Sequence, residues 1–295
     1  MFSSQFYQTD YHVHSAASFD ADETSTVENI LKTAMENNIN QVAICDHYDV
    51  NWVMSGLNPK IDFADTRRQI LEAMQSIQAN RKIPNNNANT KLLLGVELGQ
   101  PHQSPESDAH ARELLREIDF DFVLCAMHNP RNEQDFYYID YEIETKSTLE
   151  PMFERYVKEL CELAEWHNFH ALAHADYPAR YFKIHKRDDI DVRKYYGLYK
   201  DVFKILIRRG IALEVNTSGL SKENFNMTMP SYELLKIYKD MGGELLIMGS
   251  DSHRLEQLAG IRGRLGIVYK ELLNIGFKYI TVMKNKKFEQ VKIDI

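Results

Sequence analysis

Residues 9–14 read Thr-Asp-Tyr-His-Val-His. An extended, apolar run beginning at Tyr7 ends there in His12-Val13-His14. Residues two apart in an extended chain point to one face, so His12 and His14 can grip a single ion. The same event recurs along the chain. Strand Gln41–Asp46 runs into His47, Lys91–Glu97 ends in Gly95-Val96-Glu97, and Phe122–Met127 runs into His128-Asn129. His170–His174 leads to Ala175-Asp176, Ile211–Asn216 carries Glu214-Val215-Asn216, and Glu244–Ser250 opens into Asp251-Ser252-His253.

Amphipathic stretches lie between these runs: Thr26–Asn37, Asp62–Arg81, Glu106–Glu117, Thr148–His167, Val192–Arg209 and Ser231–Asp240. Ser25 or Thr26 can cap the first, and Gly210 and Gly242 stand where helices should stop. Strand, helix and strand in repetition imply parallel pairing with right-handed crossovers. Lys278–Ile295 adds an eighth extended element, and Asn132–Ser147 is an acidic, aromatic loop over the site. In a flat sheet, seven strands about 4.8 Å apart would separate the outermost ends by roughly 29 Å. Metal bonds of about 2.0–2.2 Å cannot span that, so ligands that share one site require the sheet to close into a barrel, with all strand ends at one mouth.

A single histidine on an apolar strand is ordinarily a core or rim residue. Six of the chain's 11 histidines at strand ends, with carboxylates beside them, are not six accidents. His102, His110, His167, His170 and His185 fall elsewhere and read as packing or surface residues.

The 295 residues, 44% of them hydrophobic, are enough for one large core, and a single domain over 1–295 is expected. The formal charge of -8 and the lack of a basic stripe speak against nucleic acid as a partner. No run of 18 apolar residues predicts a membrane helix, and the first residues carry no secretory pattern, so a cytoplasmic protein is expected. Cys45, Cys125 and Cys161 fit no zinc or redox spacing and read as free thiols.

Taken in order, His12-x-His14-Ser15, Asp20, Asp46-His47, Gly95-Val96-Glu97, His128, His174 and Ser250-Asp251-Ser252-His253 resemble the PHP (polymerase and histidinol phosphatase) superfamily over residues 10 to 253. The overall length, HADYPAR at 174–180 and NTSGL at 216–220 are similar to its monofunctional histidinol-phosphate phosphatases. The resemblance implies an α/β fold, a distorted (βα)7 TIM-like barrel of PHP type, with a trinuclear metal site. Carried over by position, His12, His14, Glu97 and Asp251 would hold one ion. Glu97 would bridge to a second held by His128 and His174, and Asp20, His47 and His253 would hold the third. Asp20 stands where the family often has histidine, and Asp22 and Glu23 are rival acids. Nitrogen and oxygen donors without sulfur suit two to three divalent ions of Zn, Mn or Fe.

The implied reaction is hydrolysis of L-histidinol phosphate by a metal-activated hydroxide, with Glu97 as bridging ligand and Asp251, His253 or a bound water as proton donor to the leaving alcohol. Arg180 is the candidate phosphate contact, since guanidinium offers a bidentate fork. Lys222 stands where the resemblance implies a second basic contact, with Arg262 and Arg264 as alternatives. Glu133, Asp135, Tyr137 and Tyr138 are candidates to meet a substrate ammonium, and Asn129, Asp176 and Asn216 to orient ligands. Another phosphoesterase of the superfamily, acting on a different small ester or on phosphotyrosine, is the alternative. An amidohydrolase would present a bridging lysine at a strand end, which this chain lacks. A non-catalytic metal-binding barrel would turn over no ester.

Overall fold

The computed structural model describes residues 7–58, 60–79, 90–221 and 226–294. Its first strand, β1 (Thr9–Val13), pairs in parallel with β2 (Gln41–Ile44). The connection is α1 (Val27–Glu36), whose N-terminus is capped by Thr26 accepting from the Asn29 N–H. The second stave of the barrel is broken. After β2 the chain bends at Cys45-Asp46 and resumes as β3 (His47–Asp49), which leads directly into the short helix α2 (Val50–Ser55). α3 (Phe63–Ala79) follows.

The long strand β4 (Lys91–Gly99) spans that break, bonding β2 through Lys91–Leu94 and β3 through Glu97–Gly99. Gly95 lies at the bend because a Cβ there would fall 2.4 Å from Cys45 Sγ and 3.0 Å from the Ile44 carbonyl. α4 (Pro105–Glu117), with Ser104 as cap and Pro105 in its first turn, crosses to β5 (Phe122–Ala126). α5 (Lys146–Glu165) crosses to the two-residue β6 (Ala171–Leu172). α6 (Tyr177–Ile184) and α7 (Tyr196–Arg209) lead to β7 (Ala212–Asn216), and α8 (Tyr232–Asp240) to β8 (Leu246–Gly249). All neighbouring staves are parallel, in the order β1, β2, β4, β5, β6, β7, β8.

Closure between β8 and β1 is made at the mouth. His14 N–H donates to the Ser252 carbonyl at 2.9 Å, and Ser252 N–H to the His12 carbonyl at 3.3 Å. The Asp10 carboxylate accepts from Ser250 N–H at 2.8 Å and from the Ser250 hydroxyl. A side chain thus does here what a strand carbonyl does elsewhere. The result is a nearly closed seven-stave barrel, as the sequence leads one to expect.

The chain ends differently from expectation. α9 (Leu255–Ala259) and α10 (Ile261–Ile275) follow β8, and the expected eighth element is a hairpin of β9 (Tyr279–Lys284) and β10 (Lys287–Lys292). The ribbon is a separate antiparallel sheet, tied to the barrel by Met283 N–H donating to Tyr11 Oη at 2.7 Å. Among the described residues no helix is long and apolar enough to cross a membrane. Cys45 and Cys125 are buried, Cys161 is half-buried, and all three are free thiols.

Candidate metal centre

The barrel mouth opens into a cavity of about 560 Å³. Glu97, near the end of β4 and 1% exposed, stands at its centre. Period-two alternation explains the rest: His12 on β1, Glu97 on β4 and Glu214 on β7 all face inward, while their neighbours Val96 and Val215 take the opposite face.

Three groupings emerge. Glu97 Oε2 lies 3.4 Å from His12 Nε2 and 3.7 Å from His14 Nε2. Asp251 Oδ1 lies 3.7 and 3.4 Å from the same two atoms. Glu97 Oε1 meets His174 Nε2 at 2.9 Å and His128 Nε2 at 3.3 Å. Asp20 Oδ2 lies 3.5 Å from His47 Nε2 and 3.1 Å from His253 Nε2, and those nitrogens are 3.4 Å apart. His47 joins the last group to the centre, its Nδ1 being 2.6 Å from Glu97 Oε2. All nine ligand candidates therefore converge. Asp22 and Glu23 are exposed and do not line the cavity.

These spacings fit divalent cations. Two ligands about 2.1 Å from a tetrahedral ion sit about 3.4 Å from each other. His12 Nε2, His14 Nε2 and Glu97 Oε2 are buried and make no hydrogen bond. Such atoms are costly to bury unless a partner meets them. The donor set, imidazole and carboxylate without thiolate, suits zinc and its neighbours.

The electrostatics are those of a crowded mixed-charge cluster. Burial alone would raise the Glu97 carboxyl, yet the His47 and His12 imidazoles hold it well below the usual range. Burial likewise opposes charge on His12, but Glu214, Glu97 and Asp251 together push that ring well above its ordinary value. Burial takes His14 the other way, reinforced by His253 and His47.

Arg180 comes from the first turns of α6. Its Nη1 lies 3.7 Å from Asp251 Oδ2, and its guanidinium sits 5.8 and 5.4 Å from the ring centres of Tyr177 and Tyr181. Arg264 also lines the cavity but is engaged, donating through Nε to Thr217 Oγ1 at 3.2 Å and through Nη2 to the Gln257 carbonyl at 2.6 Å. Arg262 is exposed, and Lys222 lies outside the described residues. Of the acidic, aromatic excursion, Asp135, Tyr137 and Tyr138 line the cavity. Asp135 is buried and accepts from Tyr137 N–H at 2.8 Å and Tyr177 Oη at 3.0 Å. Glu133 pairs instead with Arg155.

Three expected orienting residues divide. Asn216 donates toward Glu214 Oε2 at 3.4 Å and Asp251 Oδ2 at 3.5 Å, so it serves the site. Asn129 ties the loop after β5 through the Pro130 and Glu133 carbonyls, and Asp176 accepts from Ser231 N–H. Those two brace loops, and Asp176 makes no side-chain cap bond to α6 although it stands at its N-cap. Sequence reasoning assigned no role to Glu214, Asp49 and Asp10, which are all buried behind the ligands. Each was signalled by period two: Asp10 precedes His12 by two, Asp49 follows His47 by two, and Glu214 interrupts an apolar strand.

Comparison with known proteins is consistent with this geometry. The PHP domain model matches residues 10–218. A protein of Clostridium acetobutylicum named "Probable histidinol-phosphatase" is 28% identical over 275 residues, covering 91% of this chain and 89% of that one. A protein of Thermotoga maritima with the same name is 34% identical over 138 residues, 47% of this chain and 54% of its own length. Among solved structures, histidinol phosphate phosphatase from Lactococcus lactis, complexed with zinc, L-histidinol and phosphate, superposes with a TM-score of 0.69 at 19% identity. The match covers 96% of this chain and 98% of the other.

Proposed function

The chain belongs to the PHP domain family, and from that premise we propose that it is a metal-dependent phosphomonoesterase that hydrolyses L-histidinol phosphate to L-histidinol and phosphate. The observation that carries the reading is the convergence of eight nitrogen and oxygen ligand candidates around a ninth, Glu97, beside the Arg180 guanidinium. Relatives named for histidinol phosphate hydrolysis supply the substrate.

In this reading His12, His14, Glu97 and Asp251 hold one ion. Glu97 with His128 and His174 would hold a second, and Asp20, His47 and His253 would hold a third. The zinc of the Lactococcus lactis structure makes zinc the first metal to test. Bound there, such ions supply water activated at neutral pH and offset charge on the phosphoryl oxygens.

The chain's own residues do the rest. Arg180, positioned by the Tyr177 and Tyr181 rings, offers its planar fork to the phosphate. Asp251 stands beside Arg180 and His253 beside Asp20, and we assign to one of them or to a bound water the proton passed to the departing alcohol. The mouth is polarised by strand order. Arg180, Arg254 and Arg264 follow β6 and β8, while Asp20, Asp49 and Asp135 belong to the arc from β1 to β5. A substrate with phosphate at one end and ammonium at the other fits that arc, with Asp135 meeting the ammonium.

The test is to count metals in purified protein and compare phosphate release from L-histidinol phosphate and p-nitrophenyl phosphate. Two or three equivalents with strong preference for L-histidinol phosphate is the expected result. No metal uptake and no turnover after reconstitution with Zn, Mn or Fe would overturn it.

A further inference from the structure

Two of the six clustered imidazoles are backed by a buried carboxylate that lies outside the proposed ligand set. Glu214 Oε1 is 2.7 Å from His12 Nδ1, and Asp49 Oδ1 is 2.9 Å from His128 Nδ1. Of the other four rings, His47 turns its Nδ1 to Glu97 Oε2 at 2.6 Å, a carboxylate inside the proposed ligand set, and the rest have weaker backing. His14 Nδ1 leans on Ser18 Oγ at 3.3 Å and His253 Nδ1 on the Asp251 carbonyl at 3.0 Å. His174 Nδ1 makes no hydrogen bond.

Both carboxylates are built in rather than incidental. Glu214 is fully buried, and its second oxygen accepts from His174 N–H at 2.7 Å. Asp49 stands where it could cap α2, yet its side chain makes no cap bond and turns to His128 instead. Each also occupies a niche that only glycine leaves open. A Cβ on Gly249 would fall 2.0 Å from Glu214 Oε1, and one on Gly99 would fall 2.0 Å from Asp49 Oδ1.

A carboxylate on Nδ1 holds the proton there, aims the Nε2 lone pair into the cluster and makes the ring a more basic ligand. The two rings so treated belong to different ions of the pair linked by Glu97. In the third group such a carboxylate comes no nearer than Asp49 Oδ2 at 4.0 Å from His47 Nδ1, against 2.7 and 2.9 Å for the two backed rings, and Asp20 and His253 are 39% and 22% exposed where Glu97 is 1%. We propose that Glu214 and Asp49 are positioning residues that make the two Glu97-linked ions the tightly held ones, and that the ion at Asp20, His47 and His253 is the exchangeable one. The inference rests on the metal site proposed above and adds an order of affinity to it.

The experiment titrates the metal-free full-length protein with zinc against a chelating dye, for wild type, Glu214→Gln and Asp49→Asn. Wild type should bind two equivalents at least tenfold more tightly than the third. Each variant should weaken one tight equivalent by about ten- to a hundredfold and leave the third unchanged. Ring nitrogen resonances of ¹⁵N-histidine in the zinc-loaded protein should show His12 and His128 protonated at Nδ1, with the His12 signal altered in Glu214→Gln. Ion pairs with a purely structural role would shift melting of the metal-free protein and leave the site constants alone.

Three indistinguishable zinc affinities in wild type, or unchanged tight constants in both variants, would overturn the inference. Wild type that takes up no zinc would overturn the proposed function together with it. Zinc uptake in the stated order without turnover of L-histidinol phosphate would support the inference and overturn only the substrate.

Discussion

Arg180 Nη1 stands 3.7 Å from Asp251 Oδ2 while Tyr177 and Tyr181 flank its guanidinium. The cation is thus fixed beside the ligand cluster before any anion arrives. A charge-assisted contact of this kind contributes about 1.5–3 kcal/mol, so Arg180→Ala should lower kcat/KM for L-histidinol phosphate by roughly 10- to 150-fold. Arg180→Lys should recover only part, because the ring contacts and the fork are lost. Steady-state kinetics with unchanged metal content is the check, and an unaltered kcat/KM would remove Arg180 from the phosphate site.

Glu97 supplies both of its oxygens to the cluster, one to the His12 and His14 side and one to the His128 and His174 side. Glu97→Gln keeps the volume and loses the charge. Metal content should fall by at least one equivalent and turnover by at least about a hundredfold. Full metal content with full turnover would refute the bridging assignment.

Chelation should destabilise the fold. Ligands that bind only the native state add RT ln(1 + [L]/Kd), about 4 kcal/mol at a thousandfold excess over Kd. Melting temperature should therefore drop by about 8 °C or more on metal removal, and return on adding zinc. Identical melts with and without chelator would speak against ordered metal sites in the folded protein.

Asp135 is the buried acid of the excursion that reaches the cavity. Asp135→Asn should raise KM for L-histidinol phosphate about tenfold and leave p-nitrophenyl phosphate, which has no ammonium, nearly unaffected. Equal losses on both esters would assign Asp135 to the scaffold of Tyr137 and Tyr177.

Away from the site, His170 Nδ1 accepts the Val123 N–H at 2.9 Å, and burial lowers its pKa to about 4. The unfolded chain titrates near 6.5, so unfolding takes up a proton between those values. Stability from this group is complete above about pH 6.5 and is lost as pH falls toward 4. His170→Asn should flatten that part of the stability curve, read by urea unfolding at stepped pH in the metal-free protein.

The candidate site was more legible in the chain than the outer fold. His12, His14, His47, Glu97, His128, His174, Asp251 and His253 announce themselves because strand ends in a barrel share one mouth, so position along a strand becomes position in space. β3 and α2 were hidden because the break at Cys45-Asp46 depends on the room left by Gly95, a fact about two strands at once. α6 was hidden inside HADYPAR, where Pro178 in the first turn reads equally as a loop. Glu214 and Asp49 stayed silent for a related reason. Their work is done through another residue's ring, and that ring lies 202 residues away for Glu214 and 79 for Asp49.

The Asp10–Ser250 seam has a consequence for the newly made chain. It joins the first stave of the barrel to the last, 240 residues later in the chain. His12 and His14 lie on one side of it, Asp251 and His253 on the other. Until residue 253 has emerged, the early histidines have no finished pocket to enter. A nascent chain can present the His12-His14 pair to passing ions but not the carboxylates that complete the cluster. On the proposed metal site, full loading would therefore be an event of the completed barrel, and the choice among available metals would fall to a fixed geometry rather than to whichever ion meets the growing polypeptide first.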